Sequence, residues 1–314
     1  MPALDGLRLV GGSVALYLGA DWLVAGAAGL AAAFGVRPLV IGLTVVAYGT
    51  SAPELVVALD AARSGRGGIA FGNVVGSNLA NFGLILGLAA LLAPPAIEAA
   101  VRRRDAPLLA AVTLLWVAFA ADGRIGPVEG AALAAGAFAY SVHLLRGAAA
   151  APEPTETASP VVPWRRRLLL LVQGALGLVV LAQGGSVFVD GAVGLARSLG
   201  VTERVIGLTV VAVGTSVPEL ATSLVAARRG HTDLAVGNVV GSNLFNLLLV
   251  VGIAALVAPV AVPAGALVDL VALVTVTGLG CWFLIRGRVL PRAQGAVLLG
   301  AYVAYLMVLV LQPP

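Results

Sequence analysis

The sequence predicts an all-α membrane protein with ten transmembrane helices, arranged as two inverted five-helix repeats. Of the 314 residues, 60% are hydrophobic and only 11% are charged, whereas about a quarter of a soluble domain is charged. Runs of roughly 20 apolar residues, the length that crosses a bilayer as a helix, recur along the chain. A long motif occurs twice, once in each half, and this duplication predicts the repeats.

Apolar segments separated by charged or turn residues predict the ten spans. The first segment has no clear cleavage site, so we interpret it as a span and not as a removable signal peptide. The predicted spans are residues 7–33, 37–62, 69–93, 106–121, 127–145, 167–198, 203–227, 234–258, 264–285 and 290–311.

A segment rich in Pro, Ala and small polar residues divides the spans into two halves. Residues 1–146 form the first five-helix half and residues 167–314 form the second. The composition of residues 147–166 between them indicates a disordered linker, too short for a folded regulatory domain.

The repeat is most evident in two stretches, GLTVVAYGTSAPEL at 42–55 and GLTVVAVGTSVPEL at 207–220, which agree at 12 of 14 positions. The same pairing of positions, which we call the repeat alignment, extends without a gap over the repeat motifs 36–94 and 201–259. Because each half has five spans, the second copy enters the membrane from the opposite side. Inverted repeats of this kind are typical of secondary transporters.

Arginines in the loops predict the orientation, because basic residues favour the cytoplasmic side. The chain has no Lys; six of its 19 Arg fall on the side of the termini and thirteen on the other side. We therefore expect both termini to be extracytoplasmic and the linker to be cytosolic, in a multi-pass protein of the cell (inner) membrane. The net charge of +4 thus reflects topology and does not indicate nucleic-acid binding.

Polar residues at membrane depth predict a functional site. Glu54 and Glu219 fall in the middle of the second and seventh spans, where a carboxylate is costly unless it is paired or solvated. Pro53 and Pro218 precede them, and proline breaks the helical hydrogen-bond ladder. We expect each helix to open at the GTS sequence and free carbonyl oxygens as ligands. The hydroxyl groups at these openings belong to Thr50, Ser51, Thr215 and Ser216.

The third and eighth spans add further oxygen atoms. Ser77 and Asn81 are four residues apart, on one helical face, as are Ser242 and Asn246. Cys281, His143 and His231 lie away from these motifs, so the ligands are all oxygen atoms, which suit Ca²⁺ and Na⁺. These ions are expected as transported substrates, with no cofactor. The other acids in or near spans are expected at interfaces or between helices; they are Asp21, Asp60, Asp190 and Asp269.

The paired GTS-x-PE and GN-x-x-GSN motifs resemble the α-repeats of the Na⁺/Ca²⁺ exchanger family, within the calcium/cation antiporter superfamily. The chain is similar to the short prokaryotic members over both halves. This resemblance implies alternating access around a midplane site and not an enzyme. It implies that Glu54 and Glu219 hold Ca²⁺ with the carbonyls of Thr50 and Thr215. It also implies flanking Na⁺ sites at Ala47, Ser51 and Ser242, and at Ala212, Ser216 and Ser77.

One departure from the family is the absence of an acid at Asn81 and Asn246, where many members carry one. Because an acid there accompanies K⁺ co-transport in some branches, Asn at both positions argues against K⁺ dependence and leaves the stoichiometry open.

Other functions remain alternatives. A H⁺/Ca²⁺ antiporter would use the same glutamates as proton carriers, although hydroxyl-rich flanks favour Na⁺. A cation channel usually gains its symmetry by oligomerising, and an intramembrane hydrolase needs a His or metal beside a nucleophile. The sequence indicates the lipid bilayer, Ca²⁺ and Na⁺ as partners, with no nucleic acid and no obligate protein partner.

Overall fold

The computed structural model of the chain describes residues 2–149, 163–200 and 212–311, which are mostly helical. Two short strands, β1 Arg124–Ile125 and β2 Val260–Ala261, pair antiparallel. In chain order the helices are α1 Pro2–Phe34, α2 Pro38–Thr50, α3 Ala52–Arg63, α4 Gly67–Leu92, α5 Val101–Asp122, α6 Pro127–Ala149, α7 Trp164–Ser198, α8 Ala212–Gly214, α9 Val217–Arg228, α10 Thr232–Val257, α11 Leu267–Arg286 and α12 Arg292–Leu311.

The helices confirm a multi-pass helical membrane protein. Eight of them are each long and apolar enough to cross a membrane, and α2 with α3 forms a ninth candidate span bent by 44°. The expected ten are not all present within the described residues. The seventh predicted span, 203–227, begins in residues 201–211, outside the described part of the chain, and continues as α8 and α9.

Two helices border the predicted linker. Helix α6 continues to Ala149 and α7 begins at Trp164, so helical residues extend into the segment 147–166 from both sides. Residues 150–162 lie outside the described part of the chain.

Helices α1 and α7 pack along each other through glycines. A Cβ atom added at Gly19 would lie 2.5 Å from the backbone nitrogen of Leu181, and one added at Gly26 would lie 2.8 Å from that of Gly174. Small residues allow helix backbones to approach this closely. Residue numbers rise along α1 as they fall along α7, so these two equivalent helices of the two halves run in opposite directions.

Helices α4 and α10 form the centre of the molecule. In their most apolar stretches 78% and 83% of the residues are buried, against 17% in α12. Each contains a π-helical segment, Ala80–Leu86 in α4 and Asn246–Val250 in α10. Such widened turns occur frequently at functional sites. Helix α2 packs against α10, α3 against α4, and α9 against both α10 and the second half of α4.

Contacts between loops define two ends of the helical bundle. At one end β1, after α5, pairs with β2, after α10. At the other end Arg37 Nη1 donates to Glu98 Oε2 at 2.9 Å, and Arg292 Nε donates to the carbonyl oxygen of Leu91 at 2.9 Å. Partial burial raises the pKa of Glu98 above its ordinary value, and the charge of Arg37 offsets part of that increase.

Candidate functional site

Both halves break at the same point, directly before the glutamates. Ser51 separates α2 from α3 with φ −87° and ψ 8°, and Ser216 precedes α9 with φ −87° and ψ 4°. Pro53 and Pro218 fall in the first turn of the helix that follows, where a backbone N–H is not needed for a helical hydrogen bond. The predicted opening at the GTS sequence is therefore confirmed.

Each break places a carboxylate in the first turn of a new helix. Glu54 lies in the first turn of α3 and Glu219 in the first turn of α9, and neither has any exposed surface. The free N–H groups and the dipole at a helix N-terminus favour negative charge there. Ser51, three residues before Glu54, bonds to the Glu219 carboxylate, so the two carboxyl groups lie in the same region. Together they form a buried position that favours a cation.

Asparagines on the central helices join the two halves at these breaks. Asn73 Nδ2 donates to the carbonyl oxygen of Glu54 at 3.2 Å, and Thr215 Oγ1 of the other half donates to Asn73 Oδ1 at 3.4 Å. The equivalent bonds at the aligned positions run from Asn238 Nδ2 to Glu219 O at 3.4 Å and from Thr50 Oγ1 to Asn238 Oδ1 at 3.2 Å. Each asparagine thus contacts its own half's glutamate backbone and the other half's threonine.

Each carboxylate accepts one hydrogen bond from a serine. Ser51 Oγ donates to Glu219 Oε1 at 2.7 Å, again across the two halves, and Ser77 Oγ donates to Glu54 Oε1 at 3.3 Å. Ser77 Oγ also lies 3.3 Å from Thr215 Oγ1. The structure therefore brings six of the predicted residues into a hydrogen-bonded network of two clusters, each of which contains one glutamate and groups from both halves.

Several buried oxygen atoms around this network have no hydrogen-bond partner among the described residues. They are Glu54 Oε2, Glu219 Oε2, Ser216 Oγ, Ser242 Oγ, Thr222 Oγ1, Asn81 Oδ1 and Asn246 Oδ1. Unpaired buried polar atoms are costly and need an explanation. Within the described ranges no three His, Cys, Asp or Glu residues come together, so two carboxylates and neutral oxygens are the available donors. This donor set fits a hard cation such as Ca²⁺ or Na⁺.

The remaining predicted positions lie beside the network. Ala47 is fully buried, and a Cβ added at Gly241 would lie 2.8 Å from its Cβ, which places Ala47 next to the residue before Ser242. Ala212 begins α8, and its side chain lies outside the described part of the structure. Asn81 and Asn246 occupy equivalent positions in the two π-helical segments.

Sequence reasoning missed Asn73, Asn238, Thr222 and Ser223. Asn73 and Asn238 belong to the repeated GN-x-x-GSN motif and precede Ser77 and Ser242 by one helical turn, so their spacing could have identified them. Ser223 Oγ accepts from Asn238 Nδ2 at 3.0 Å, but Ala58 takes its place in the first half. The repeat pattern therefore gave no signal for it.

Three of the four other membrane acids have partners away from the site, as expected. Asp21 pairs with Arg229, and Asp60 accepts from Arg66 at 2.9 Å. Tyr305 donates to Asp269 at 2.9 Å between α12 and α11. The fourth acid, Asp190, lines a cavity together with residues of both breaks.

A sequence profile described as sodium/calcium exchanger protein matches residues 6–146 and 169–311. The chain belongs to the sodium/calcium exchanger family. It is 38% identical over 306 residues to the putative antiporter CaxA of Alkalimonas amylolytica. The aligned region covers 94% of this chain and 95% of that protein. It is 33% identical over 316 residues to the inner membrane protein YrbG of Escherichia coli, covering 96% and 95%.

Structural comparison agrees with this family membership. The sodium-calcium exchanger NCX_Mj, solved after soaking with 10 mM Na⁺ and zero Ca²⁺, superimposes with a TM-score of 0.87 at 30% identity, covering 98% of this chain and 99% of that one. The predicted family and the multi-pass membrane class are thus confirmed. As a member of a family of transporters, the chain belongs to a class of cation antiporters and not of enzymes.

Proposed function

We propose that this family member is a secondary-active antiporter that exchanges Na⁺ for Ca²⁺ by alternating access. The observation that carries the proposal is the pair of buried glutamates, each with one unpaired oxygen, in a network built from both halves. Two negative charges match one Ca²⁺ or two Na⁺, and these ions would compete for the same oxygens. The family and the likeness to NCX_Mj support this proposal.

Within this proposal the ions occupy adjacent positions. Glu54 and Glu219 hold Ca²⁺ with the carbonyl oxygens of Thr50 and Thr215, and Asn81 and Asn246 supply amide oxygens nearby. The flanking Na⁺ positions use Ala47, Ser51 and Ser242 on one side, and Ala212, Ser216 and Ser77 on the other. The unpaired Oγ atoms of Ser216 and Ser242 support these positions, because a bound Na⁺ would satisfy them.

The proposed architecture has ten transmembrane helices in two inverted halves, 1–146 and 167–314, joined by the linker 147–166. The opposite directions of α1 and α7 and the exchange of hydrogen bonds between equivalent residues support it. The protein would lie in the cell (inner) membrane, without a resident cofactor or an obligate protein partner.

A H⁺/Ca²⁺ antiporter is the second candidate, because each buried glutamate has an oxygen free to take a proton. A transport assay distinguishes Na⁺ coupling from H⁺ coupling. The purified protein is reconstituted into proteoliposomes that are loaded with Na⁺, with K⁺ or at acid pH, and these are diluted into radioactive Ca²⁺. We expect Ca²⁺ uptake with internal Na⁺ and little with the other gradients. If a pH gradient alone drove as much Ca²⁺ uptake as internal Na⁺, the proposal of Na⁺ coupling would be rejected in favour of H⁺ coupling.

Removing the flanking hydroxyl groups is expected to weaken the binding of Na⁺ more than the binding of Ca²⁺. Na⁺ at a flanking position relies on neutral oxygens, whereas Ca²⁺ keeps both carboxylates. In Ser216→Ala or Ser242→Ala, whose Oγ atoms are unpaired, the Na⁺ concentration for half-maximal exchange should rise about threefold or more, consistent with the loss of one neutral ligand contact. Ca²⁺ affinity measured without Na⁺ should change less.

Ser13→Ala is the matched control, because Ser13 Oγ bonds only to the carbonyl of Leu9 on the exposed face of α1. It should leave both ion dependences unchanged. If the site variants lost affinity for Na⁺ and for Ca²⁺ equally, the proposal of separate flanking Na⁺ positions would be contradicted.

The orientation prediction places both termini outside and the linker in the cytosol. Arg37 and Arg292 share one end of the bundle, and the loops with β1 and β2 share the other, which supports the grouping of loops used for the arginine count. A single cysteine at position 4 or 155, in a Cys281→Ala background, should react with an impermeant maleimide on intact cells only at position 4. Labelling at 155 alone would reverse the orientation.

A further inference from the structure

The cavity lined by Asp190 reaches the proposed ion site from one end of the bundle. It has a volume of about 280 Å³ and lies between α7 and the two breaks, with Pro53, Pro218 and Thr215 at its inner side. Thr215 bonds directly to Asn73 and lies 3.3 Å from Ser77 Oγ. A cavity of this size holds several waters. The cavity is therefore a route wide enough for water, and it ends at the network around Glu54.

Asp190 lies at the outer part of this route. The lining follows α7 from Ala182 to Asp190, a rise of roughly 12 Å along a helix. A Cβ added at the adjacent Gly191 would lie 2.8 Å from the carbonyl oxygen of Asp5, in the first turn of α1. The exposed Asp190 is thus close to the end of the bundle that carries the N-terminus, whereas Thr215 is at the site.

Among the described side chains that line the cavity, Asp190 is the charged one. Unlike Asp21, Asp60 and Asp269, it has no ion pair or hydrogen bond with another described residue. The nearby charges of Asp5 and Arg8 pair with each other at 3.4 Å. Asp190 therefore contributes a net negative charge to a narrow route with low-dielectric walls, an arrangement that concentrates cations.

The other half lacks this arrangement. The repeat alignment, continued into the first helix of each half, places Ala25 at the position of Asp190, and Asp21 at the position of Ser186. Asp21 is paired with Arg229, and Ala20 and Val24 beside it are fully buried. The equivalent region of α1 is therefore closed in this structure and has no unpaired acid. The negative charge serves one side of the membrane.

We propose that Asp190 is a cation-capturing residue at the mouth of the route from the N-terminal end, and that it raises the apparent affinity for Ca²⁺ on that side only. It acts through the field along the route and does not ligate the ion at the transport site. A divalent cation gains more from this charge than Na⁺ does. The expected effect on Ca²⁺ transport rests on the proposed exchange function. The expected concentration of cations near Asp190 does not depend on that function.

The electrostatic part is tested by cysteine labelling, which needs no transport. Ser186 is exposed and lines the cavity one turn from Asp190. In a Cys281→Ala, Ser186→Cys chain, we compare labelling rates of a cationic and an anionic methanethiosulfonate reagent. Adding Asp190→Asn should lower the cationic-to-anionic rate ratio about three- to tenfold, the effect of one charge at short range in a partly aqueous site. An unchanged ratio would overturn the proposal.

The effect on transport is measured in right-side-out and inside-out membrane vesicles. Asp190→Asn should raise the Ca²⁺ concentration for half-maximal exchange about three- to tenfold at low ionic strength from the N-terminal side, and leave the other side unchanged. Asp60→Asn is the matched control, because Asp60 is an exposed acid paired with Arg66 outside the cavity. Equal shifts on both sides would overturn one-sided capture. Ca²⁺ transport without Na⁺ dependence would instead contradict the proposed function while leaving the labelling result valid.

Discussion

Glu54→Gln and Glu219→Gln are each expected to abolish Ca²⁺ transport, with a loss of at least about a hundredfold. Each change removes one of the carboxylates that would pair with the buried cation, and losing one partner of a buried ion pair costs several kcal/mol. Glutamine keeps the size of the side chain and can still accept from Ser77 or Ser51 at the position of Oε1. The charge that offsets a divalent cation is lost. Transport should be measured in proteoliposomes, and folding by size-exclusion chromatography in detergent.

The matched control for this charge removal is Glu129→Gln. Glu129 Oε2 accepts from the backbone N–H of Gly126 at the start of α6, and glutamine can accept the same bond. This variant should transport Ca²⁺ at the wild-type rate. If either site variant also retained near-normal transport, that glutamate would not hold the transported ion.

Asn73→Ala and Asn238→Ala are expected to reduce transport about tenfold or more while lowering stability by about 1–3 kcal/mol, the cost of leaving buried partners unsatisfied. Each substitution removes two bonds at once, one to the glutamate backbone of the same half and one from the threonine of the other half. The carbonyl ligands of the proposed Ca²⁺ position would lose their fixed geometry. Transport rates and thermal unfolding in detergent measure the two effects.

Asn78→Ala and Asn243→Ala provide controls of the same residue type on the same two helices. Asn78 Nδ2 bonds to the carbonyl of Val74, and Asn243 Nδ2 bonds to that of Val239, each 2.7 Å away within its own helix. These variants should lose much less transport. If they lost as much as Asn73→Ala and Asn238→Ala, contact between the halves would not explain the effect.

The sequence was sufficient to predict the membrane class and the helical breaks. Apolar composition limits the class, and the proline before each glutamate has a direct steric effect on its helix. The repeat alignment also identifies which positions are equivalent. It does not show which of them touch, because that depends on how the two halves pack against each other. The bonds from Thr50 to Asn238 and from Thr215 to Asn73 therefore appeared only in the structure.

A second repeated feature escaped sequence comparison for a different reason. Tyr140 donates to Asp105 at 3.0 Å between α6 and α5, just as Tyr305 donates to Asp269 between α12 and α11. The two tyrosines are equivalent in the repeat alignment, but Asp105 is aligned with Leu270, the residue after Asp269. An ungapped alignment therefore misses the aspartates. Both pairs fix the outer helices of their halves, and the Asp105 carboxylate also accepts from Arg104 Nε at 2.6 Å.

The ion pair between Asp21 and Arg229 has a consequence for the resting equilibrium of the proposed exchange cycle. With two identical inverted halves, the outward-facing and inward-facing forms would be related by a two-fold rotation and would have equal free energy. Here the equivalent positions are Ser186 and Ser64, which cannot form an ion pair, so this contact can stabilise only one of the two forms. A tenfold ratio between the populations of the two forms corresponds to about 1.4 kcal/mol. A few such unmatched contacts are therefore sufficient to determine the side of the membrane to which the ion-free protein is open at rest.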